Sequence, residues 1–145
     1  MKIELKKLNE NAVLPSRGSN EAAGYDLYAL ADQPIEIEPH KTVMVGTGLS
    51  LAIPDGYFGG VFARSGMASK RNLRPANCVG VFDSDYRGEL MVPVHNDSEE
   101  KKIIEAKERI AQLIILPYLS VEFDEVEELN ETARGESGFG STGSK

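Results

Sequence analysis

Apolar residues in this chain recur with a period of two, in short runs broken by turn residues. Ile3 and Leu5 alternate with charge in KIELKK, and Ile35 and Ile37 alternate with Glu36 and Glu38 in PIEIEP. Alternation of that kind sends successive side chains to opposite faces of an extended strand, and a helix cannot use it. The stretch TVMVGTGLSLAIPDGYFGGVFARS (42–65) is apolar and β-branched, with glycines throughout and a Pro54-Asp55-Gly56 turn in its middle. NCVGVFDSDYRGELMVPV (77–94) reads as two strands forming a hairpin around a polar turn at Asp83–Arg87. Turn signals at about every 8–12 residues suggest a β-sandwich, jelly roll or barrel. Nothing resembles the strand–helix alternation of a nucleotide-binding α/β fold.

Two stretches are less clear. SGMASKRNLR (65–74) suits a short helix, which Ser65 could cap. IIEAKERIAQLIILP (103–117) would suit a helix up to Leu113, yet its weak period-two pattern and the Ile114-Ile115 pair ending on Pro117 favour a strand. The expected architecture is therefore all-β, a jelly-roll-like barrel or sandwich with one short helix. One domain spans residues 1–130, and 131–145 form a flexible Gly-rich C-terminal arm.

Composition excludes several classes of function. The net charge of −7 argues against a nucleic-acid coat, because phosphate backbones need a basic face. With Cys78 the lone cysteine, neither an internal disulfide nor a cysteine-based zinc site can form, and a reducing cytoplasm is the expected location. No apolar run reaches the ~20 residues of a membrane span, and MKIELKKLNE lacks a signal-peptide core. His40 and His95 have no partner at metal-ligand spacing and read as ordinary hydrogen-bonded or exposed histidines. The common phosphate-loop and nucleophile-elbow motifs are absent.

Five polar islands remain: AAGYDL (22–27), ARSGMA (63–68), NCVGVFDSDYRGEL (77–90), ERIAQL (108–113) and RGESGFGSTGSK (134–145). Asp26 in the first could be a turn residue. In the second, Arg64, Ser65 and Gly66 stand at a helix start, where guanidinium, hydroxyl and free N–H groups could converge on an anion. A capped helix with a surface arginine explains them equally well. In the fourth, Gln112 interrupts an apolar run, and a buried amide needs partners.

In this order and at this spacing the five islands resemble the ordered motifs of the trimeric deoxyuridine triphosphate pyrophosphatases (dUTPases). The resemblance spans roughly residues 12–143. The GVFDSDYRGE hairpin and the Gly-rich tail are its most specific parts. Departures are small: the family usually has proline at Ala63, and glycine at Lys107 and Ser137.

The resemblance implies a Mg²⁺-assisted reaction in which water attacks the α-phosphorus of dUTP and leaves dUMP and pyrophosphate. That lowers dUTP and supplies the precursor of dTTP. By similarity, Asp83 is the base that aligns and activates the water. Asp85 is then a turn residue. Asn77, with main-chain groups of Gly80 and Val81, would read the uracil edge. Tyr86 would pack under the deoxyribose and leave no room for a 2′-hydroxyl, and Met91 could line the same pocket. Arg64, Ser65, Gly66 and Gln112 would hold the triphosphate. Mg²⁺ would be held mainly by the phosphates and water, with Asp26 reaching it through water, while Arg109 would make a structural ion pair. The family also implies a homotrimer with shared active sites, whose tail crosses to another subunit.

Two rivals share these features: a dCTP deaminase of the same fold, and a non-catalytic dUTP-sensing regulatory module. The deaminase would need a glutamate catalyst and a different arginine–serine motif. Every expected catalytic group is present, which speaks against the sensor. Ordering RGESGFGSTG costs on the order of 10–20 kcal/mol of backbone entropy. The tail should therefore be mobile in the empty protein and close as a lid over bound dUTP and Mg²⁺. Phe139 would stack on the uracil, Gly140 would let the backbone approach, and Arg134, Ser141 and Thr142 would meet the γ-phosphate.

Overall fold

The computed structural model describes residues 1–138. Phe139, Gly140, Ser141 and Thr142, assigned above to the lid, lie outside the described residues. In chain order the elements are β1 (Glu4–Lys7), β2 (Tyr25–Tyr28), β3 (Ile35–Ile37), β4 (Thr42–Gly46), β5 (Leu49–Ala52) and β6 (Tyr57–Phe62). Then come α1 (Ser65–Arg71), β7 (Leu73–Pro75), β8 (Val79–Phe82), β9 (Met91–Asn96), β10 (Lys102–Ile104) and β11 (Arg109–Pro117). Among the described residues the chain is strands and loops with one short helix, and the strands are what the alternation of apolar residues predicts.

All strand pairings are antiparallel. The sheets are β2-β11-β6-β8, β4-β9-β7, β1-β5 and β10-β3. Their inner faces meet on Leu27, Val45, Leu51, Val92, Ile104 and Leu113, all within one apolar cluster. The Pro54–Gly56 turn forms as expected, with Tyr57 N–H donating to the Pro54 carbonyl at 3.2 Å. Among the described residues past Pro117, none belongs to a helix or strand.

Three local expectations change. The polar corner at Asp83–Arg87 is not a hairpin turn. β8 pairs with β6, whereas β9 pairs with β4 and β7. Phe82 and Leu90, on either side of the corner, are both buried, and Leu90 N–H donates to the Leu49 carbonyl at 2.7 Å. The chain thus leaves one sheet at Phe82 and enters another at Met91. Nor does Ser65 cap the helix. The cap position falls on extended Arg64, which makes no side-chain capping bond, and Ser65 is already helical. The third change is in 103–117, where the strand reading holds but the run breaks between β10 and β11. Glu108 Oε2 accepts from Glu105 N–H at 2.9 Å there, and Glu108 N–H donates to the Glu105 carbonyl at 3.1 Å.

Lys107 sits in that turn with φ 62°, the left-handed region. A side chain there costs about 1–2 kcal/mol, whereas glycine adopts the angle freely at the expense of unfolded-state entropy. Lys107→Gly should therefore raise stability by up to ~1 kcal/mol, read as a shift in the urea midpoint at constant slope.

Candidate active site

The first cluster forms where β2, β11 and β6 lie side by side. Asp26 pairs with Gln112 across β2 and β11, and Gln112 pairs with Phe62 across β11 and β6. Directly opposed residues share a face, so Asp26 and Gln112 project together. Asp26 is 9% exposed. Its two oxygens accept from Arg64 Nε at 2.7 Å and Arg109 Nη1 at 3.3 Å. Arg109 thus makes the ion pair expected of it. One carboxylate between two guanidiniums leaves a local excess of positive charge. Among the described residues Arg64 bonds only through Nε, so its Nη groups remain available donors. Gln112 Nε2 donates to the Ala63 carbonyl at 2.9 Å, and its Oε1 fills the space where a Cβ on residue 24 would stand, so glycine at that position leaves room for the amide as it is placed. The amide still has one N–H to offer. Ser65 and Gly66 follow Arg64 and are exposed at the start of α1.

The second cluster is the corner between β8 and β9. A cleft of about 270 Å³ is lined by Met44, Val81, Phe82, Asp83, Tyr86, Glu89 and Met91. The Tyr86 ring stands edge-on to Phe82, with centroids 4.9 Å apart and planes at 88°. It lies so close over Gly88 that any Cβ there would collide with its hydroxyl. The corner is tied down from β5 and the turn that precedes it. Ser50 Oγ donates to the Arg87 carbonyl and Thr47 Oγ1 to the Leu90 carbonyl, both at 2.7 Å. Glu89 Oε1 accepts from Gly48 N–H at 2.8 Å. These bonds fix the backbone that carries Tyr86, so its ring has a set position. Asp83 is exposed at the mouth of the cleft, and Val81 is 65% exposed. Asn77 lies just before β8. Its Nδ2 would be 3.4 Å from a Cβ built on Gly80, so Asn77 and Gly80 stand together.

The structure thus gathers Asp26, Arg64 and Gln112 in one place, with Ser65 and Gly66 beside them. It gathers Val81, Asp83, Tyr86 and Met91 in another, with Asn77 and Gly80 along the same strand. The two places are far apart in one chain. β2 and β8 are the outer strands of their sheet, three strand spacings apart. Asp83 follows Phe82, which pairs with Gly59, while Gln112 pairs with Phe62. That offset across and along the sheet amounts to roughly 20 Å between Asp26 and Asp83. Arg134 is exposed, with Nε donating to the Ser137 carbonyl at 2.8 Å.

Several supporting residues escaped the sequence reading: Phe82, Glu89, and the pair Thr47 and Ser50. Thr47 and Ser50 left a signal, since both are polar in an apolar strand run and both are buried. His40 and His95 are hydrogen-bonded, to Glu99 at 2.8 Å and Thr42 at 2.9 Å. Among the described residues no group of three His, Cys, Asp or Glu side chains could hold a metal ion. No helix among them is long and apolar enough to cross a membrane.

Fold and site together define a small jelly-roll-like β protein that presents an arginine-rich polar patch and a carboxylate beside an aromatic platform. The dUTPase family model matches residues 10–143, and the chain belongs to the dUTPase family. It is 46% identical over 143 residues to a deoxyuridine 5′-triphosphate nucleotidohydrolase of Nautilia profundicola, covering 99% of each chain. It is also similar to a mutant Staphylococcus bacteriophage 80alpha dUTPase solved with dUpNHpp, at 31% identity and TM-score 0.89, covering 98% of each chain. A mutant dUTPase of S. aureus phage phi11, described with a structural Mg(II) ion, matches at 25% identity and TM-score 0.81. That match covers 90% of this chain and 100% of the other.

Proposed function

We propose that the protein hydrolyses dUTP to dUMP and pyrophosphate. The observation that carries this reading is Asp83, a free carboxylate at the mouth of a cleft walled by a fixed tyrosine, in a chain of the dUTPase family. Asp83 aligns a water on the α-phosphorus and takes its proton as the P–O bond to pyrophosphate breaks. The substrate carries about four negative charges, so electrostatics and positioning dominate the catalysis. Arg64 supplies its free Nη groups, Gln112 its remaining N–H, and Ser65 and Gly66 their hydroxyl and backbone N–H groups. Asn77 and the backbone of Gly80 and Val81 read the uracil. Tyr86 and Met91 bound the sugar, and the fixed ring is the wall that refuses a 2′-hydroxyl.

The donor set fits Mg²⁺ held by substrate oxygens and water, since the described residues offer no cage and Asp26 already accepts two guanidiniums. Bound there, Mg²⁺ would offset triphosphate charge, and Asp26 has lone pairs left to meet its water. The distance between the two clusters supports a site shared between copies, one lending the corner to the phosphate patch of another, and the family resemblance makes that assembly a homotrimer. Residues 131–145 complete the site as a lid.

The direct test is pyrophosphate release from dUTP, dTTP, dCTP and UTP. Only dUTP should turn over at an appreciable rate; ammonia from dCTP without pyrophosphate would overturn the assignment. Deleting residues 134–145 removes Phe139 and Arg134. Base stacking alone is worth ~1–3 kcal/mol, so kcat/KM should fall by at least about fivefold. The melting temperature should hold, because among the described residues none past Pro117 belongs to a helix or strand. An undiminished rate would refute the lid.

A further inference from the structure

Asn77 is carried by a short connection between β7 and β8 that has little apolar support. Asn77, Cys78 and Val79 are all exposed, and Cys78 takes a left-handed φ of 62°. A side chain from the strand before it braces this segment. Arg74 Nε donates to Asp97 Oδ2 at 2.7 Å and its Nη2 to Asp97 Oδ1 at 3.0 Å, a two-pronged pairing that fixes the plane of the guanidinium. Asp97 is itself anchored, since its N–H donates to the Asn72 carbonyl at 2.8 Å. The third guanidinium nitrogen, Nη1, then points into the connection. It lies 3.2 Å from the Pro75 carbonyl, 3.3 Å from the Ala76 carbonyl and 3.9 Å from Cys78 Sγ.

We infer that Arg74, oriented by Asp97, is a positioning residue for uracil recognition: it clamps the 75–78 turn and so sets the place of Asn77 beside Gly80. The inference rests on dUTP being the substrate. The geometry asks for arginine in particular. A lysine keeps the charge but has no planar fork, so it cannot pair with Asp97 through two nitrogens and offer a third to the turn. Backbone bonds hold the same segment: Cys78 N–H donates to the Pro75 carbonyl at 3.0 Å, Val79 N–H to the Asn77 carbonyl at 2.6 Å and Ala76 N–H to the Pro93 carbonyl of β9 at 2.7 Å. The clamp therefore tunes a turn that already exists. Its loss should loosen the segment and leave the fold intact.

The test uses the full-length protein with Arg74→Lys and Arg74→Gln, read in two ways. Amide hydrogen exchange at Ala76, Cys78 and Val79 should quicken in both variants, with core amides such as Val45 and Val92 unchanged as the control for folding. Steady-state kinetics should show KM for dUTP raised about fivefold, the scale of one partly exposed charge-assisted contact, with kcat held within about twofold. A merely structural role would lower the stability of the whole barrel or the amount of active enzyme, and would not split KM from kcat. Unchanged exchange at 76–79, or faster exchange with an unchanged KM, would overturn the inference alone. Wild-type protein inert towards dUTP would overturn the substrate assignment and this inference with it.

Discussion

Replacing Asp83 with asparagine should lower kcat for dUTP by ~10²–10⁴-fold, the range a positioned general base contributes. The melting temperature should not move. Asp83 is exposed, and among the described residues its side chain takes part in no hydrogen bond or ion pair, so the isosteric amide strands nothing. KM should stay level or fall, since a negative charge beside a polyanionic substrate is removed. The corner holds two other carboxylates that could be mistaken for the base. Glu89 lines the cleft, but its Oε1 is bound to Gly48 N–H, which makes it part of the scaffold. Asp85 is exposed and does not line the cleft. Asp85→Asn should therefore stay near wild-type activity. Full activity in Asp83→Asn would move the base elsewhere and defeat the assignment.

The strands were legible because alternation is a local property. Ile35 and Ile37 announce β3 without help from the rest of the chain. Pairing is not local, and there the reading of residues 77–94 went astray. Two strands joined by a short polar turn look like a hairpin until one sees that Phe82 and Leu90 are buried on either side of the corner while their strands join different sheets. Arg64 and Gln112 stand out in the sequence itself, as a cation at a helix start and a polar break in an apolar run, whereas the roles of Asp26, Asp83 and Tyr86 come from the family resemblance; the grouping of all five into two clusters is visible only through strand register. The scaffold was least legible. Thr47, Ser50 and Glu89 reach main-chain atoms some 40 residues away in sequence. Arg74 and Asp97 are ordinary surface charges in the sequence, and only their meeting across β7 and β9 gives them work to do.

Mixing two inactive variants should restore activity. Arg64→Gln removes the free Nη donors of one cluster and leaves Asp83; Asp83→Asn does the reverse. If each site draws the phosphate patch from one copy and the corner from the next, either homotrimer lacks one component at every site. A mixed trimer behaves differently. In any closed ring of three holding both variants, an Asp83→Asn chain precedes an Arg64→Gln chain at one interface. That interface carries an intact Arg64 and an intact Asp83. Co-expression with two affinity tags, followed by purification through both, isolates mixed particles alone. Their kcat per trimer should be about one third of wild type, against almost nothing for either parent. If a single chain supplied both clusters, every site in a mixed particle would lack one group, and the doubly purified protein would be as inactive as its parents. The roughly 20 Å between Asp26 and Asp83 in one chain makes the first outcome the expected one, because an aligned water and the phosphate that it attacks must lie within about 3–3.5 Å.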